Sequence, residues 1–223
     1  MHFFRIDGPV YRFLETITNL IILNFLFLVC SIPVVTIGPA LIAAYYVALK
    51  IVRNEETSII KNFFHSFRMN FKQGLLLGIG VLILLAVLLI DIRALTYLTA
   101  IPESASKVLI YVVGFFLLVL ALISMYLFAV VAQFENKLSE LIKWSAVLVL
   151  RHFPVTLASL VIFAVPVLVF YFAPAFFLRT LLPILFLLGF SGLIYIQSGL
   201  LVKVFDYYIP KKEEDLPEED LSC

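Results

Sequence analysis

Charge is what this chain has least of. Only 14% of its 223 residues are Asp, Glu, Lys or Arg, 63% are hydrophobic and the mean hydropathy is +1.11, where a soluble domain carries about 25% charge and about 45 to 50% apolar residues. That balance excludes a monomer dissolved in water. The sixteen basic and fifteen acidic residues leave a net charge of +1, so there is neither the basic excess of a nucleic-acid binder nor the acidic excess of a disordered solvating chain. Two cysteines, Cys30 in an apolar run and Cys223 at the last position, and three histidines make no disulfide framework and no metal-ligand set. Glu135, Arg151 and His152 stand near one another in sequence, but no nucleophile, metal set or second carboxylate accompanies them at useful spacing. No catalytic residue, metal or cofactor is therefore expected. The N-terminus MHFFRIDGPVYRF lacks a small-residue cleavage pattern, so the first apolar run is expected to be retained.

What remains is long apolar runs. A crossing helix needs roughly 20 apolar residues, and a charge at its centre costs roughly 2.5 to 3.5 kcal/mol, so charged residues delimit the candidates. There are 18 uncharged residues between Lys72 and Asp91, 27 between Lys107 and Glu135, 27 between Arg151 and Arg179, and 23 between Arg179 and Lys203. Each can span. The runs lack the alternation of a barrel strand, and an open sheet in lipid would leave backbone groups unpaired, so helices are required.

The 34 uncharged residues between Glu15 and Lys50 are too many for one crossing. Their middle, Ser31 to Pro39 (SIPVVTIGP), holds Pro33, Gly38 and Pro39 and predicts a break. A helix over about Thr16 to Ile32 and a second over about Pro39 to Val52 follow, the second being either a short crossing or a re-entrant leg. With a returning second leg, thirteen of the sixteen basic residues face one side and only Arg93, Lys107 and Arg179 the other; a single crossing divides them eleven to five. The positive-inside bias favours the hairpin, with both termini cytoplasmic. Trp144, Tyr11, Tyr45, Tyr97, Tyr171, Tyr207 and Tyr208 fall near predicted helix ends, where amphipathic rings sit at the headgroup level. The fold class is thus all-α: a polytopic bundle of six transmembrane helices, the first two short and broken at Pro33 and Pro39. Residues 1–209 form one domain, and the charged segment 210–223 a disordered cytoplasmic tail.

Two segments read as amphipathic interfacial helices, Ser58 to Gln73 and Glu135 to His152. In the first, Phe63, Phe64, Phe67 and Phe71 recur at helical spacing opposite Lys61, Arg68 and Lys72. Each segment precedes a pair of crossings, and Phe3 to Glu15 precedes the first pair in the same way, an arrangement of three similar units. Gly74, Gly78 and Gly80 follow a helix and not a strand, so they read as a close helix-packing surface and not a dinucleotide loop. The same reading applies to Gly189, Gly192 and Gly199.

Binding candidates are few. The turn residues Pro33, Thr36, Gly38 and Pro39 could expose carbonyls to a ligand, as broken helices do in transporters, or simply make a tight turn. Asn24 and Gln197 are polar at membrane depth and serve either packing or substrate contact. Phe63, Phe64, Phe67, Arg68, Phe71 and Lys72 are candidates for docking to the interface or to a partner.

The stretch Asn19 to Glu56 (NLIILNFLFLVCSIPVVTIGPALIAAYYVALKIVRNEE), followed by Phe63 to Gly74 (FFHSFRMNFKQG), resembles the YesL-like family of bacterial membrane proteins, which is defined by a domain of unknown function. The resemblance covers the first third of the chain; the rest is similar in hydropathy and length. It implies a bacterial plasma membrane protein. Members are often encoded beside ATP-driven sugar transporters, so it also implies a non-enzymatic accessory or scaffold role in carbohydrate uptake, with a sugar permease of the ABC type as partner besides the lipid bilayer. The alternative is a transporter of a small neutral solute using the broken first hairpin. The absence of Asp, Glu, Arg and His from the centres of the apolar runs disfavours a proton-coupled pump.

Overall fold

Hydrocarbon offers backbone groups no partners, so a chain this apolar must satisfy them within each segment. In the computed structural model, which describes residues 9–55, 58–97 and 102–208, helices α1 (Pro9–Cys30), α2 (Ile37–Val52), α3 (Ile59–Met69), α4 (Phe71–Tyr97), α5 (Glu103–Gln133), α6 (Leu138–Arg151), α7 (Phe153–Phe172) and α8 (Pro174–Phe205) follow one another, and no strand occurs among the described residues. A single 3-10 turn, Val34–Thr36, joins α1 to α2. Six of the helices, α1, α2, α4, α5, α7 and α8, are long and apolar enough to cross a membrane. The amphipathic α3 and α6 stand before α4 and α7, where the sequence places them.

Three boundaries differ from expectation. Of the stretch Phe3 to Glu15, residues 9–15 are the opening turns of α1 and residues 3–8 lie outside the described residues, so among the described residues the unit of amphipathic helix plus hairpin recurs twice. The expected helix over Ser58 to Gln73 ends at Asn70, and Phe71, Lys72 and Gln73 already belong to α4. The last two crossings separate at Ala173 (φ −137°, ψ 63°) and not at Arg179, because the residue before Pro174 is driven out of the helical region. Arg179 therefore lies inside α8. Residues 1–8 and the charged tail lie outside the described residues.

Helix α8 is irregular for a local reason. Pro183 has no N–H, and its ring crowds the carbonyl four residues earlier. Two widened π-helical turns, Phe177–Leu181 and Leu185–Gly189, flank it and take up the misfit.

The core is built around α2, which touches α1, α3, α4, α5 and the C-terminal half of α8. Its small residues Ala40, Ala43, Ala44 and Ala48 are all fully buried and let the neighbours approach closely. The tightest approach is at its start. A Cβ built on Gly38 would meet the Gly74 carbonyl oxygen and lie 2.9 Å from Gly78 Cα, and one on Gly74 would lie 2.8 Å from Pro39 Cα. The backbones of α2 and α4 are thus in direct contact at residues that only glycine permits.

That contact dictates where α3 goes. From Gly38 to Arg53 the chain travels about 22 Å along α2 at about 1.5 Å per residue, yet Gly74 is back beside Gly38 and Pro39. The eleven residues of α3 must run antiparallel along α2, and they bury Ile59, Phe63 and Ser66 against the core. At Asn70 the path hardly changes, since Asn70 N–H donates to Ser66 O (2.9 Å) and Gly74 N–H to Asn70 O (2.7 Å). Helices α3 and α4 form one lightly broken rod that climbs beside α2 and continues past its start.

The two ends of the bundle differ. Tyr126 to Ala132 of α5 are buried without interruption, so this end of α5 is surrounded on every side. At the other end, carrying Asp91 and Arg93, apolar side chains such as Tyr111, Phe115, Tyr171 and Phe186 are exposed, the surface that lipid requires. If the glycine contact sets the architecture, Gly38→Ala and Gly74→Ala should each lose about 1 to 3 kcal/mol by overpacking. Gly80→Ala, with nothing within 4 Å of the new methyl, should lose none. Thermal unfolding of the detergent-solubilised variants checks both.

Candidate functional site

The α1–α2 turn closes on itself. Pro33 cannot donate a hydrogen bond, so the carbonyls at the end of α1 need another donor. Thr36 supplies it: its Oγ1 lies 2.6 Å from Cys30 O and 2.7 Å from Pro33 O and shares one proton between them. Pro39 stands in the first turn of α2, where its missing N–H would have been unpaired anyway, and with Gly38 it faces Gly74 and Gly78. Pro33, Thr36, Gly38 and Pro39 are therefore brought together as a packed turn. Its exposed residues Ile32, Pro33, Val34 and Val35 are apolar.

Asn24 and Gln197, both fully buried, lie in separate polar contacts. Asn24 Nδ2 donates to Phe186 O (2.6 Å), and its Oδ1 accepts from Ser191 N–H (3.1 Å). These backbone groups are five residues apart, spanning the π-helical turn of α8, so the amide of α1 caps the groups that the widened turn releases. Ser191 Oγ returns the contact by donating to Leu20 O at 2.8 Å. Gln197 ties three helices: Tyr45 OH of α2 donates to its Oε1, and its Nε2 donates to Met125 O of α5 at 3.1 Å. Tyr45 is thus a core residue in the middle of α2 and not a headgroup-level ring. Near it, Tyr126 OH donates to Thr156 Oγ1 (2.9 Å), which donates to Val149 O (2.9 Å), joining α5 to the α6–α7 junction.

The docking candidates divide by exposure. Phe63 is wholly buried and belongs to the core; Phe67 is half-buried; Phe64, Phe71, Arg68 and Lys72 are exposed. The rings form a run, Phe63 stacked on Phe67 at 6.1 Å and Phe67 edge-on to Phe71 at 5.5 Å. Phe67, Arg68, Met69, Phe71, Lys72 and Gln73 line an open groove at the α3–α4 elbow.

Two features at the opposite end of α2 escaped the sequence. The Arg53 guanidinium bonds Gln133 Oε1 (3.0 Å) at the end of α5 and Asp206 Oδ1 (2.8 Å) after α8, so it clasps three helix ends. Asn54, in the left-handed region at φ 54°, turns the chain away just after it. Beside the clasp, His152 Nε2 lies 3.1 Å from Tyr208 OH and the Arg151 guanidinium stands 5.5 Å over the Tyr208 ring. A cavity of about 210 Å³ opens there, lined by Phe134, Asn136, Leu141, Trp144 and Tyr208 among others. Nothing in local sequence marks Arg53 as a clasp, because its partners are 80 and 153 residues away. Among the described residues no group of three or more His, Cys, Asp or Glu side chains could hold a metal ion.

Residues 20–92 match a family model described as "Protein of unknown function, DUF624", in agreement with the resemblance read from Asn19 to Gly74. No curated protein and no solved structure matches the chain. If Asn24 acts through the released groups of α8, Asn24→Leu should destabilise by about 0.6 kcal/mol, and by no more than about 1.7. Amide exchange over 186–191 should rise selectively in the same variant, which hydrogen-exchange mass spectrometry in micelles would read.

Proposed function

We propose that this multi-pass membrane protein, whose residues 20–92 carry the DUF624 match, is a non-enzymatic accessory or scaffold subunit of the bacterial plasma membrane. Its partner in this reading is the permease of an ATP-driven sugar importer, and both termini face the cytoplasm. The observation that carries the reading is the use made of the buried polar groups. Among the described residues no Asp, Glu, Lys, Arg or His side chain is buried, and the buried amides of Asn24 and Gln197 bond between helices instead of facing a passage. Ion-coupled transport and acid-base chemistry both call for ionisable groups held inside.

The surface supports a partner as well. Exposed apolar side chains at the Asp91 end can meet the helices of a second membrane protein without loss relative to lipid, and what then selects a partner is packing. The sugar permease comes from the family resemblance, and the orientation from the thirteen-to-three distribution of Lys and Arg. The alternative, neutral-solute transport through the first hairpin, gains no support from a turn whose Cys30 and Pro33 carbonyls are taken by Thr36.

Gentle detergent extraction from the native host, followed by identification of co-purifying proteins, should recover subunits of an ATP-driven sugar transporter. Their consistent absence defeats the reading. Reporter tags at residue 60 and at the C-terminus should both report the cytoplasm, and opposite sides would refute the orientation.

A further inference from the structure

The exposed face of α3 carries a stripe of nitrogen bases. Lys61, His65, Arg68 and Lys72 follow one another at steps of four, three and four residues, and all four are exposed. Because the α3–α4 rod is nearly continuous through Asn70, they lie one above another on a single side. None of the four side chains has a hydrogen bond or ion pair with another described residue. Beyond Lys72 the same stripe continues as Leu76, Ile83 and Ile90, all exposed and all apolar. On this helix, then, the change from polar to hydrocarbon surroundings falls between Lys72 and Leu76.

Elsewhere on the bundle that change falls much lower. Arg53, Gln133, Asp206, His152 and Tyr208 gather at one level, and immediately above it α7 already exposes Phe153, Leu157 and Val161. The α3–α4 elbow is level with Gly38, about 22 Å further along α2. Beyond the elbow the exposed apolar stripe from Leu76 to Ile90 runs about another 21 Å at about 1.5 Å per residue, so it occupies most of a hydrocarbon layer of about 30 Å and sets Arg68 and Lys72 at the edge of that layer along α3. Cations at that edge are met by water or by lipid headgroups. The turn beside them, which touches α4, exposes the apolar side chains of Ile32, Val34 and Val35.

We propose that the Lys61–His65–Arg68–Lys72 stripe is a binding track for anionic phospholipid headgroups, which carries the lipid–water boundary along α3 up to Lys72. The phosphates accept hydrogen bonds from the lysine ammonium groups and, in bidentate fashion, from the Arg68 guanidinium. Phe64, Phe67 and Phe71, at one side of the stripe, lie against the acyl chains. This occupant fits both halves of the surface, basic along the stripe and apolar around it, whereas an acidic protein helix would match only the first. The inference is independent of any sugar-transport partner.

The test uses the full chain in nanodiscs of equal phosphatidylglycerol and phosphatidylcholine, with the lipid remaining after mild detergent extraction counted by native mass spectrometry. Wild type should retain phosphatidylglycerol preferentially. Neutralising Lys61, Arg68 and Lys72 (K61Q, R68Q, K72Q) should reduce that preference by about fivefold per charge. The charge-preserving set K61R, R68K, K72R should keep most of it, as should neutralising Lys137, Lys143 and Lys203 as a control. Equal retention by wild type and the neutralised set would overturn the proposal. So would a wild type without preference for the anionic lipid, the result expected if an acidic protein is the true occupant. If the neutralised set fails to fold, a nitroxide at Met69→Cys in the otherwise intact chain decides, with Cys30 and Cys223 replaced. Access by a water-soluble relaxing agent, greater than at Leu157→Cys, supports the track, and access to oxygen alone overturns it.

Discussion

The structure rests on one place where two backbones touch. Gly38 and Pro39 of α2 meet Gly74 and Gly78 of α4 with no side chain between them. In lipid, helices gain little from hiding apolar surface, because the surroundings are as apolar as they are, so close packing and hydrogen bonds decide which helices associate. The glycine contact provides the first and fixes a register. With the start of α4 beside the start of α2, α3 has to return along α2, Phe63 has to enter the core, and the basic stripe is raised to the level of the elbow.

Hydrogen bonds between helices complete the association. Asn24 of α1 caps backbone groups released by the widened turn of α8, Gln197 of α8 joins α2 to α5, and Arg53 clasps the ends of α5 and α8. Each satisfies a group that hydrocarbon would leave unpaired. Pro183 stands between the two widened turns of α8, and Asn24 bonds Phe186 O and Ser191 N–H across the second of them. The consequence for function is negative in chemistry and positive in surface. The buried amides of Asn24 and Gln197 are engaged in assembly, and what the molecule offers outward is an apolar flank at one end and a basic stripe on α3.

Much of this was legible in the chain. Charged residues bracketed the crossings well, since the insertion cost of a charge is local and large. Pro33 and Pro39 announced the first turn, and the spacing of Gly74 and Gly78 announced a close helix contact. Arg179 misled, because one arginine near a helix end resembles a loop, while the residue that broke the helix was Ala173 before Pro174. Tyr45 misled likewise: a tyrosine near a helix end has the composition of a headgroup ring, and only the presence of Gln197 across the bundle makes it a core residue.

The amino-acid sequence alone determined that lipid is the solvent, that helices are the structure, roughly where each begins and ends, and which family the first third resembles. These follow from hydropathy and from local restrictions on backbone angles, which act over a turn or a single crossing. Only the tertiary structure decided which glycines meet, which amides pair, that α3 climbs the bundle, and therefore how far from the Arg53 level its cations stand. Such outcomes depend on contacts between residues 30 to 171 positions apart, and no local pattern specifies them.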